Sequence, residues 1–262
     1  MNRIREAFAD AKRQGRGTLI IYITAGEPNL LQTVELVDTI AGAGADIVEL
    51  GIPYSDPLAD GPTIQAASQR ALAAGCTVQG VLDCAAEIKQ RNSVPLVFMT
   101  CFNPILQFGP ETFAQRCQHA GVDGVLISDL PPAESEEWVS LAAAHDLATI
   151  FLVAPTSTDE RIRQATDRTT GFVYAVSRPG VTGAREELPS DLRQSVERIR
   201  RTTDLPVAVG FGISTPEQVA AVWEIADGAV VGSAVVDIIA NTGDSDALYA
   251  QVAQFVARLA HK

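Results

Sequence analysis

The sequence predicts an α/β fold, a single closed barrel of eight strand–helix units, and three observations support this prediction. Short apolar runs alternate with longer amphipathic segments, and the alternation occurs eight times along the chain. Most of the short runs are continuously hydrophobic, as parallel strands covered on both faces must be. The chain has 262 residues, close to the roughly 250 that eight such units need. An open, doubly wound sheet is the alternative, but eight units in this length favour a (β/α)8 or TIM barrel.

The predicted strands follow one another from near the beginning of the chain to near its end. They lie at residues 19–24, 47–50, 96–100, 124–128, 149–153, 172–176, 207–210 and 229–231. The segments between them carry apolar residues at helical spacing. In the first of these segments one face is formed by Leu30, Val34, Val37 and Ala41, and in the final helix by Leu248, Val252, Phe255, Val256 and Leu259.

Residues that begin and end helices agree with this order. Thr215 and Pro216 provide an N-cap and a proline in the first turn, and Gly44 and Gly121 fall where helices should end before a strand. An additional amphipathic helix precedes strand one, and a short helix is predicted between strand eight and the final helix. There is no linker and no shift in composition, so residues 1–262 are expected to form a single domain.

The composition argues against several classes of function. The net charge is −12, and such a surface repels nucleic acid and anionic membranes. No apolar run reaches the roughly 18 residues of a membrane span, and the charged N-terminal segment lacks a signal-peptide core, so the cytoplasm is the expected location. The four cysteines form no C-x-x-C pair and the three histidines lie far apart, so no metal site is predicted.

The loop after the second predicted strand is the first candidate for chemistry, because barrel enzymes build their sites on the loops that follow the strands. Glu49 stands at the end of this strand, inside an otherwise apolar run. A carboxylate directed into a barrel mouth loses solvation, which raises its pKa and suits a group that both gives and takes a proton. The alternative for Glu49 is an ion pair with a neighbouring basic residue.

Asp60 lies further along the same loop and has an alternative of its own. Asp-Gly is a turn signal, and an aspartate ahead of Pro62 can cap the helix that begins there. From the residues alone, this capping role is favoured over a catalytic one. Asp56, in a turn flanked by two prolines, is a weaker candidate for catalysis.

Glycines follow each of the last three predicted strands. Gly183 comes after strand six, Gly212 after strand seven, and Gly232 with Ser233 after strand eight. Glycine lets backbone N–H groups approach a phosphate, and the short helix after strand eight would add its N-terminus. These loops therefore predict phosphate binding, the alternative being that the glycines only turn the chain. Residues 178–185 are typical of a mobile lid, with a flexible surface loop as the alternative.

The segment at residues 49–65 reads ELGIPYSDPLADGPTIQ. It resembles the signature of the tryptophan synthase alpha chain family almost residue for residue. The resemblance extends from strand one to strand eight, and so over essentially the whole chain. Its shorter matches lie at residues 23–28, 128–131, 177–183 and 210–214 and at Gly232-Ser233.

The resemblance implies a retro-aldol cleavage of indole-3-glycerol phosphate to indole and glyceraldehyde 3-phosphate. It assigns Glu49 as the acid–base group, which protonates the indole ring at C3 and assists loss of the side-chain hydroxyl proton. It assigns Asp60 to the indole N–H, where a carboxylate stabilises developing positive charge, and this overturns the capping interpretation. Tyr174 is implied to position the surroundings of Glu49. The implied indole slot consists of Tyr22, Leu126, Leu152, Thr182 and Phe211, and the implied phosphate site of Gly183, Gly212, Gly232 and Ser233.

The resemblance also implies a partner, a beta chain that uses pyridoxal phosphate to join indole to serine within an alpha2beta2 heterotetramer. The cofactor belongs to that partner, and none is expected in this chain. Pro53, Asp56 and Asn103 match positions that face the beta chain. The sequence departs from the family at Tyr22 and Tyr54, where phenylalanine is frequent, and thereby adds two hydroxyl groups.

Three other functions remain open at this point. A stand-alone lyase would cleave the same substrate and release indole without any beta chain. A non-catalytic regulatory subunit would only activate a partner, but intact Glu49 and Asp60 argue against it. Another phosphosugar barrel, such as an isomerase, would share the glycines of the late loops and would have no need of the segment at residues 49–65.

Overall fold

The computed structural model describes residues 2–57, 60–176, 190–210, 212–243 and 245–260. All strand pairs are parallel. The strands close into one barrel in chain order, and β8 pairs with β1. Their bounds are β1 Thr18–Thr24, β2 Ile47–Gly51, β3 Leu96–Thr100, β4 Gly124–Ile127, β5 Ala148–Val153, β6 Val173–Val176, β7 Val207–Gly210 and β8 Gly228–Val231. The closed order confirms the predicted (β/α)8 barrel.

Helices connect the successive strands. Their bounds are α1 Arg3–Arg13, α2 Leu30–Gly42, α3 Pro62–Ala73, α4 Val78–Arg91, α5 Phe102–Phe108, α6 Pro110–His119, α7 Glu136–Ala144, α8 Asp159–Arg168, α9 Ser190–Arg200, α10 Pro216–Trp223, α11 Ser233–Asn241 and α12 Ser245–Ala260. The helix predicted before strand one is α1, and the short helix predicted after strand eight is α11. Both additions to the basic barrel are therefore confirmed.

Apolar side chains form one core inside the barrel and another between the strands and the surrounding helices. The interior core contains at least one residue from every strand except β6, together with Phe172, which immediately precedes β6. Helix α1 packs on this core through Ile4 and Phe8, and the Phe8 ring lies 5.5 Å from the Phe172 ring. Since α1 and the first residues of the strands fill the amino end of the barrel, an active site has to lie at the carboxyl end, as is usual for this fold.

The strand register directs Glu49 into the barrel. Glu49 pairs with Tyr22 on one side and with Val97 on the other, and Val97 belongs to the interior core. Side chains alternate between the two faces of a strand. Ile47, two residues before Glu49, is also in the interior core, so Glu49 lies above it on the same face, toward the carboxyl end.

The predicted helix boundaries also agree with the structure. Thr215 is the N-cap of α10 in a capping box completed by Gln218, with Pro216 in the first turn. After α2 the chain turns at Gly44, whose φ of 108° favours glycine. In the described part of the chain, no individual helix has the length and apolar character that a bilayer crossing needs. Helices α3 and α4 meet those requirements only as a pair, and they are bent by 98° at the break between them.

Candidate active site

Glu49 is a buried carboxylate without a hydrogen-bonding partner. Its exposed fraction is 1%, and neither Oε1 nor Oε2 makes a hydrogen bond within the described residues. Burial, and to a smaller extent the negative charge of Asp60, raise the pKa of Glu49 to about 8. The ion pair considered as the alternative for Glu49 is absent from the part of the chain that the structure describes. Glu49 is therefore protonated at neutral pH and is able to donate a proton.

Asp60 approaches this region from the loop between β2 and α3. The N-cap of α3 is Gly61, and no side chain caps the helix, so the capping interpretation of Asp60 is wrong. The carboxylate instead accepts a hydrogen bond from Tyr54, with Oη 3.3 Å from Oδ2. Burial raises the pKa of Asp60, and the hydrogen bond from Tyr54 opposes this effect.

Two tyrosines, Tyr22 and Tyr174, interact electrostatically with both carboxylates. Burial raises the pKa of both Tyr22 and Tyr174, and the charges of Glu49 and Asp60 raise it further. Charges act on a pKa in this way only over short distances. The structure therefore brings together Tyr22 on β1, Glu49 on β2, Asp60 on the loop after β2 and Tyr174 on β6.

Glycines at the carboxyl ends of two strands make room for the tyrosine rings. The Tyr22 hydroxyl lies directly over Gly51 on β2, and the Tyr174 hydroxyl lies over Gly210 on β7. A Cβ atom at either glycine would overlap the phenol, so these two positions require glycine as long as the rings keep their places. Tyr22 also lies 3.3 Å from Thr24, measured from Oη to Oγ1.

The predicted indole slot lies on the upper part of the interior core. Leu126 belongs to that core, and Leu152 and Tyr174 pack against it. Met99 packs against this core and also against the small cluster that contains Tyr22, so it links the two sides of the slot. Met99 is not among the site residues that the sequence predicts. Its position two residues after the interior residue Val97 was the signal that identifies its face.

Some of the predicted phosphate-binding residues surround the N-terminus of α11. Gly232 is the N-cap of this helix, no side chain caps it, and Ser233 is its first residue. The first amide groups of a helix have no acceptor within the helix and can bind an anion. Gly212 has a φ of 66°, and apart from its chain neighbours no other residue that the structure describes has an atom within 4 Å of the position that a Cβ would take. Outside the described residues lie the other predicted contacts, Thr182, Gly183 and Phe211, and the predicted lid at residues 178–185.

A second feature at the carboxyl end is a cavity of about 260 Å³. It is bordered by the loops that follow β2, β3 and β4, and its lining residues are Tyr54, Ser55, Asp56, Cys101, Asn103, Ser128 and Asp129. Two of the three residues predicted to face a partner, Asp56 and Asn103, therefore line one cavity, and both are exposed. Pro53, the third, is buried.

The histidines and cysteines of the described residues lie outside the group formed by Glu49, Asp60, Tyr22 and Tyr174. In that part of the chain there is no group of three or more His, Cys, Asp and Glu residues that could hold a metal ion. The four cysteines are free thiols. His145 lies 3.3 Å from Glu111, measured from Nε2 to Oε1, in an exposed contact.

A closed barrel that holds two neighbouring carboxylates at its carboxyl end has the arrangement of a (β/α)8-barrel enzyme. Comparison with known proteins narrows this class. The family model described as tryptophan synthase alpha chain matches residues 8–261. The tryptophan synthase alpha chain of Geobacter sulfurreducens is 49% identical over 259 residues, which are 99% of this chain and 98% of that relative.

Solved structures give the same result. The tryptophan synthase alpha subunit of Legionella pneumophila superposes with a TM-score of 0.90 at 34% identity, covering 99% of this chain and 97% of that one. A chain of the tryptophan synthase α2β2 complex of Pyrococcus furiosus superposes with a TM-score of 0.88 at 40% identity, covering 93% and 98%. The chain belongs to the tryptophan synthase alpha chain family. The family resemblance seen in the sequence is thereby confirmed.

Proposed function

We propose that Glu49 and Asp60 carry the reaction of this family in the present chain. The alpha chain of tryptophan synthase is a lyase of tryptophan biosynthesis, which cleaves indole-3-glycerol phosphate to indole and glyceraldehyde 3-phosphate. The observation that carries the proposal is Glu49, buried without a partner and with a pKa raised to about 8. Burial of such a group lowers the stability of the fold, and a role in catalysis explains why the group is there.

Glu49 acts first as an acid and then as a base. It delivers its proton to C3 of the indole ring, which leaves an indolenine with positive charge on nitrogen. The resulting carboxylate takes the proton of the hydroxyl group on the side-chain carbon bonded to C3. The bond between C3 and that carbon breaks, its electron pair returns to the ring, and the carbonyl of glyceraldehyde 3-phosphate forms. Glu49 ends the cycle protonated, as it began.

Asp60 stabilises the indolenine by accepting a hydrogen bond from the indole N–H. A carboxylate that is fixed before the reaction begins interacts more strongly with the transition state than with the neutral ring, and this difference lowers the barrier. Tyr22, Leu126 and Leu152 form the apolar walls of the slot, and Tyr174 helps to position the surroundings of Glu49. The place of these residues around the interior core supports this assignment.

The phosphate group is assigned to the N-terminus of α11, with Gly232 and Ser233, and to the backbone at Gly212. The uncapped first turn of α11 supports this assignment. Thr182, Gly183 and Phe211 are proposed as further contacts on the strength of the family match, and residues 178–185 as the lid that excludes water.

The partner of this chain is a tryptophan synthase beta chain in an alpha2beta2 assembly. The exposed cavity lined by Asp56 and Asn103 supports docking at the loops after β2 and β3, with Pro53 shaping the same loop from its buried position. Pyridoxal phosphate belongs to that partner, and this chain needs no cofactor. The chain itself is proposed to be one domain over residues 1–262, because strands of one barrel span residues 18–231, and to act in the cytoplasm.

The experiment that tests this function is indole release from indole-3-glycerol phosphate by the purified chain, alone and with a tryptophan synthase beta chain. We expect slow release that rises sharply when the beta chain is added. Fast release that ignores the beta chain would instead favour the stand-alone lyase. Absence of release under both conditions would contradict the proposal and favour a regulatory subunit or a different phosphosugar substrate.

A further inference from the structure

Tyr54 is the side chain that fixes the Asp60 carboxylate. Its hydroxyl donates to Oδ2 at 3.3 Å, and no other side chain within the described residues donates to either oxygen of Asp60. The backbone of Asp60 is held separately, since its N–H donates to the Pro57 carbonyl at 3.1 Å and its carbonyl accepts from Gln65 Nε2 at 2.9 Å. The main chain is thus anchored without Tyr54, whereas the rotation of the carboxylate depends on it.

We propose that Tyr54 is a positioning residue for Asp60, which by binding Oδ2 leaves Oδ1 directed at the indole N–H. This inference rests on the proposed role of Asp60. A phenol is suited to this task because it gives a single, directional hydrogen bond and adds no charge near the indolenine. Phenylalanine at this position would leave both oxygens of Asp60 without that donor.

The surroundings of Tyr54 keep its phenol protonated and therefore able to donate. Burial raises the pKa of Tyr54, and the charge of Asp60 raises it further, while the nearby Ser128 hydroxyl acts in the opposite direction. The Oγ atom of Ser128 is buried, and Ser128 borders the same cavity as Tyr54. The phenol thus lies between this cavity and the Asp60 carboxylate.

The hydrogen bond also has an effect that pH can reveal. Tyr54 lowers the pKa of Asp60 against the opposing effect of burial, so its hydroxyl extends the ionised range of Asp60 to lower pH. The other titratable groups that interact with Asp60 are Glu49, with a pKa of about 8, Cys101, with a pKa of about 11, and the two raised tyrosines, Tyr22 and Tyr174. Each of them stays protonated below pH 7, so among the described residues the acid limb of turnover reports on Asp60.

The test is Tyr54→Phe in the full chain, with indole release measured against pH at a saturating concentration of a beta chain. We expect kcat to fall about tenfold, as for one hydrogen bond to a charged group, and the acid limb to move to higher pH, because the hydroxyl that lowers the pKa of Asp60 is gone. Tyr249→Phe, which removes the hydroxyl of a tyrosine on α12, is the matched control and should leave both quantities unchanged.

Two results would overturn the inference. The first is a Tyr54→Phe variant whose acid limb stays at the parental pH, because a purely structural role lowers turnover without moving it. The second is full recovery of parental kcat when the beta chain is raised from subsaturating to saturating concentration, which would assign the hydroxyl to docking. Asp60→Asn separates these outcomes from a failure of the proposed function. If Asp60→Asn turns over normally, the role of Asp60 is wrong, whereas a strong loss there with an unaffected Tyr54→Phe removes the positioning role alone.

Discussion

A single buried acid carries most of the functional argument at the scale of the residue. Glu49 has neither a counter-ion nor a hydrogen-bond donor within the described residues, although a buried polar group is normally satisfied. Its raised pKa means that the folded chain holds a proton there that the unfolded chain releases. Function and stability are therefore opposed at this position.

The stability of the chain should depend on pH through Glu49. Its folded pKa of about 8 lies above the unfolded value of about 4.5. The contribution of protonated Glu49 to the free energy of unfolding is therefore fully present below about pH 4.5, and it is lost as pH rises through about 8. Between pH 5.5 and pH 8.5 the parent should lose on the order of 2–3 kcal/mol more free energy of unfolding than Glu49→Gln. Denaturant unfolding of both proteins at the two pH values measures the difference. Parallel pH dependences would show that Glu49 is ionised in the folded chain.

The same residue shows what a sequence can reveal about a site. An acid inside an apolar strand, Glu49, is visible without a structure, because the pattern of the strand conflicts with its charge. The role of Asp60 was ambiguous, since a helix cap and a site residue call for the same side chain in the same turn. The contact between Tyr54 and Asp60 was not predicted, because it depends on the path of an irregular loop that no periodicity describes.

At the scale of the element, the carboxyl ends of the strands combine small and large residues. Tyr22 on β1 reaches over Gly51 on β2, and Tyr174 on β6 reaches over Gly210 on β7. In both cases the glycine lies on the neighbouring strand, two residues beyond the residue that pairs with the tyrosine, which is Glu49 for Tyr22 and Ala208 for Tyr174. The position of each ring is thus set by the strand next to it.

Gly51→Ala should therefore disturb both packing and activity. The added methyl group would overlap the Tyr22 phenol, and overpacking of this kind costs roughly 1–3 kcal/mol. Gly42→Ala at the end of α2 is the matched control, since among the described residues no atom outside its own helix and chain neighbours lies within 4 Å of its Cβ position. Denaturant unfolding and indole release compare the two variants. Equal stability and activity of both would show that Tyr22 does not occupy the space above Gly51.

The N-terminus of α11 should be sensitive to negative charge. Ser233→Asp places a carboxylate in the first turn, where it would compete with the substrate phosphate for the same amide groups. We expect KM to rise about tenfold or more with a smaller change in kcat, because phosphate binding is remote from the bond that breaks. Ser233→Ala is the control, since it keeps the amides and removes only a hydroxyl. A KM in Ser233→Asp equal to that of Ser233→Ala would place the phosphate elsewhere.

At the scale of the whole molecule, the eightfold alternation was enough to predict a closed barrel. Strand positions followed from continuous apolar runs, and the limits differ by about one residue at several ends, as when β4 ends at Ile127 and leaves Ser128 in the loop. The docking of α1 was not predictable, because an amphipathic pattern shows that a helix has a buried face but not what covers it. The structure shows Ile4 and Phe8 against the interior core, at the opposite end of the barrel from Glu49.

This division of the barrel separates stability from chemistry. The amino end is filled by α1 and by the first interior residues of the strands, while Glu49 lies above them on β2, whose neighbours are β1 and β3. A substitution at Glu49 that keeps its size should therefore leave the barrel intact. The role of Glu49 in the reaction can therefore be tested by substitution without unfolding the barrel.

The central claim is that Glu49 transfers the proton, and the most direct test is the turnover of Glu49→Gln. Indole release by this variant, at saturating substrate and beta chain, should fall by about 100-fold or more, as for loss of a general acid–base group. Its circular dichroism and thermal unfolding at pH 6 should match those of a folded barrel. Turnover near that of the parent, by a variant that folds equally well, would contradict the account and remove Glu49 from the reaction.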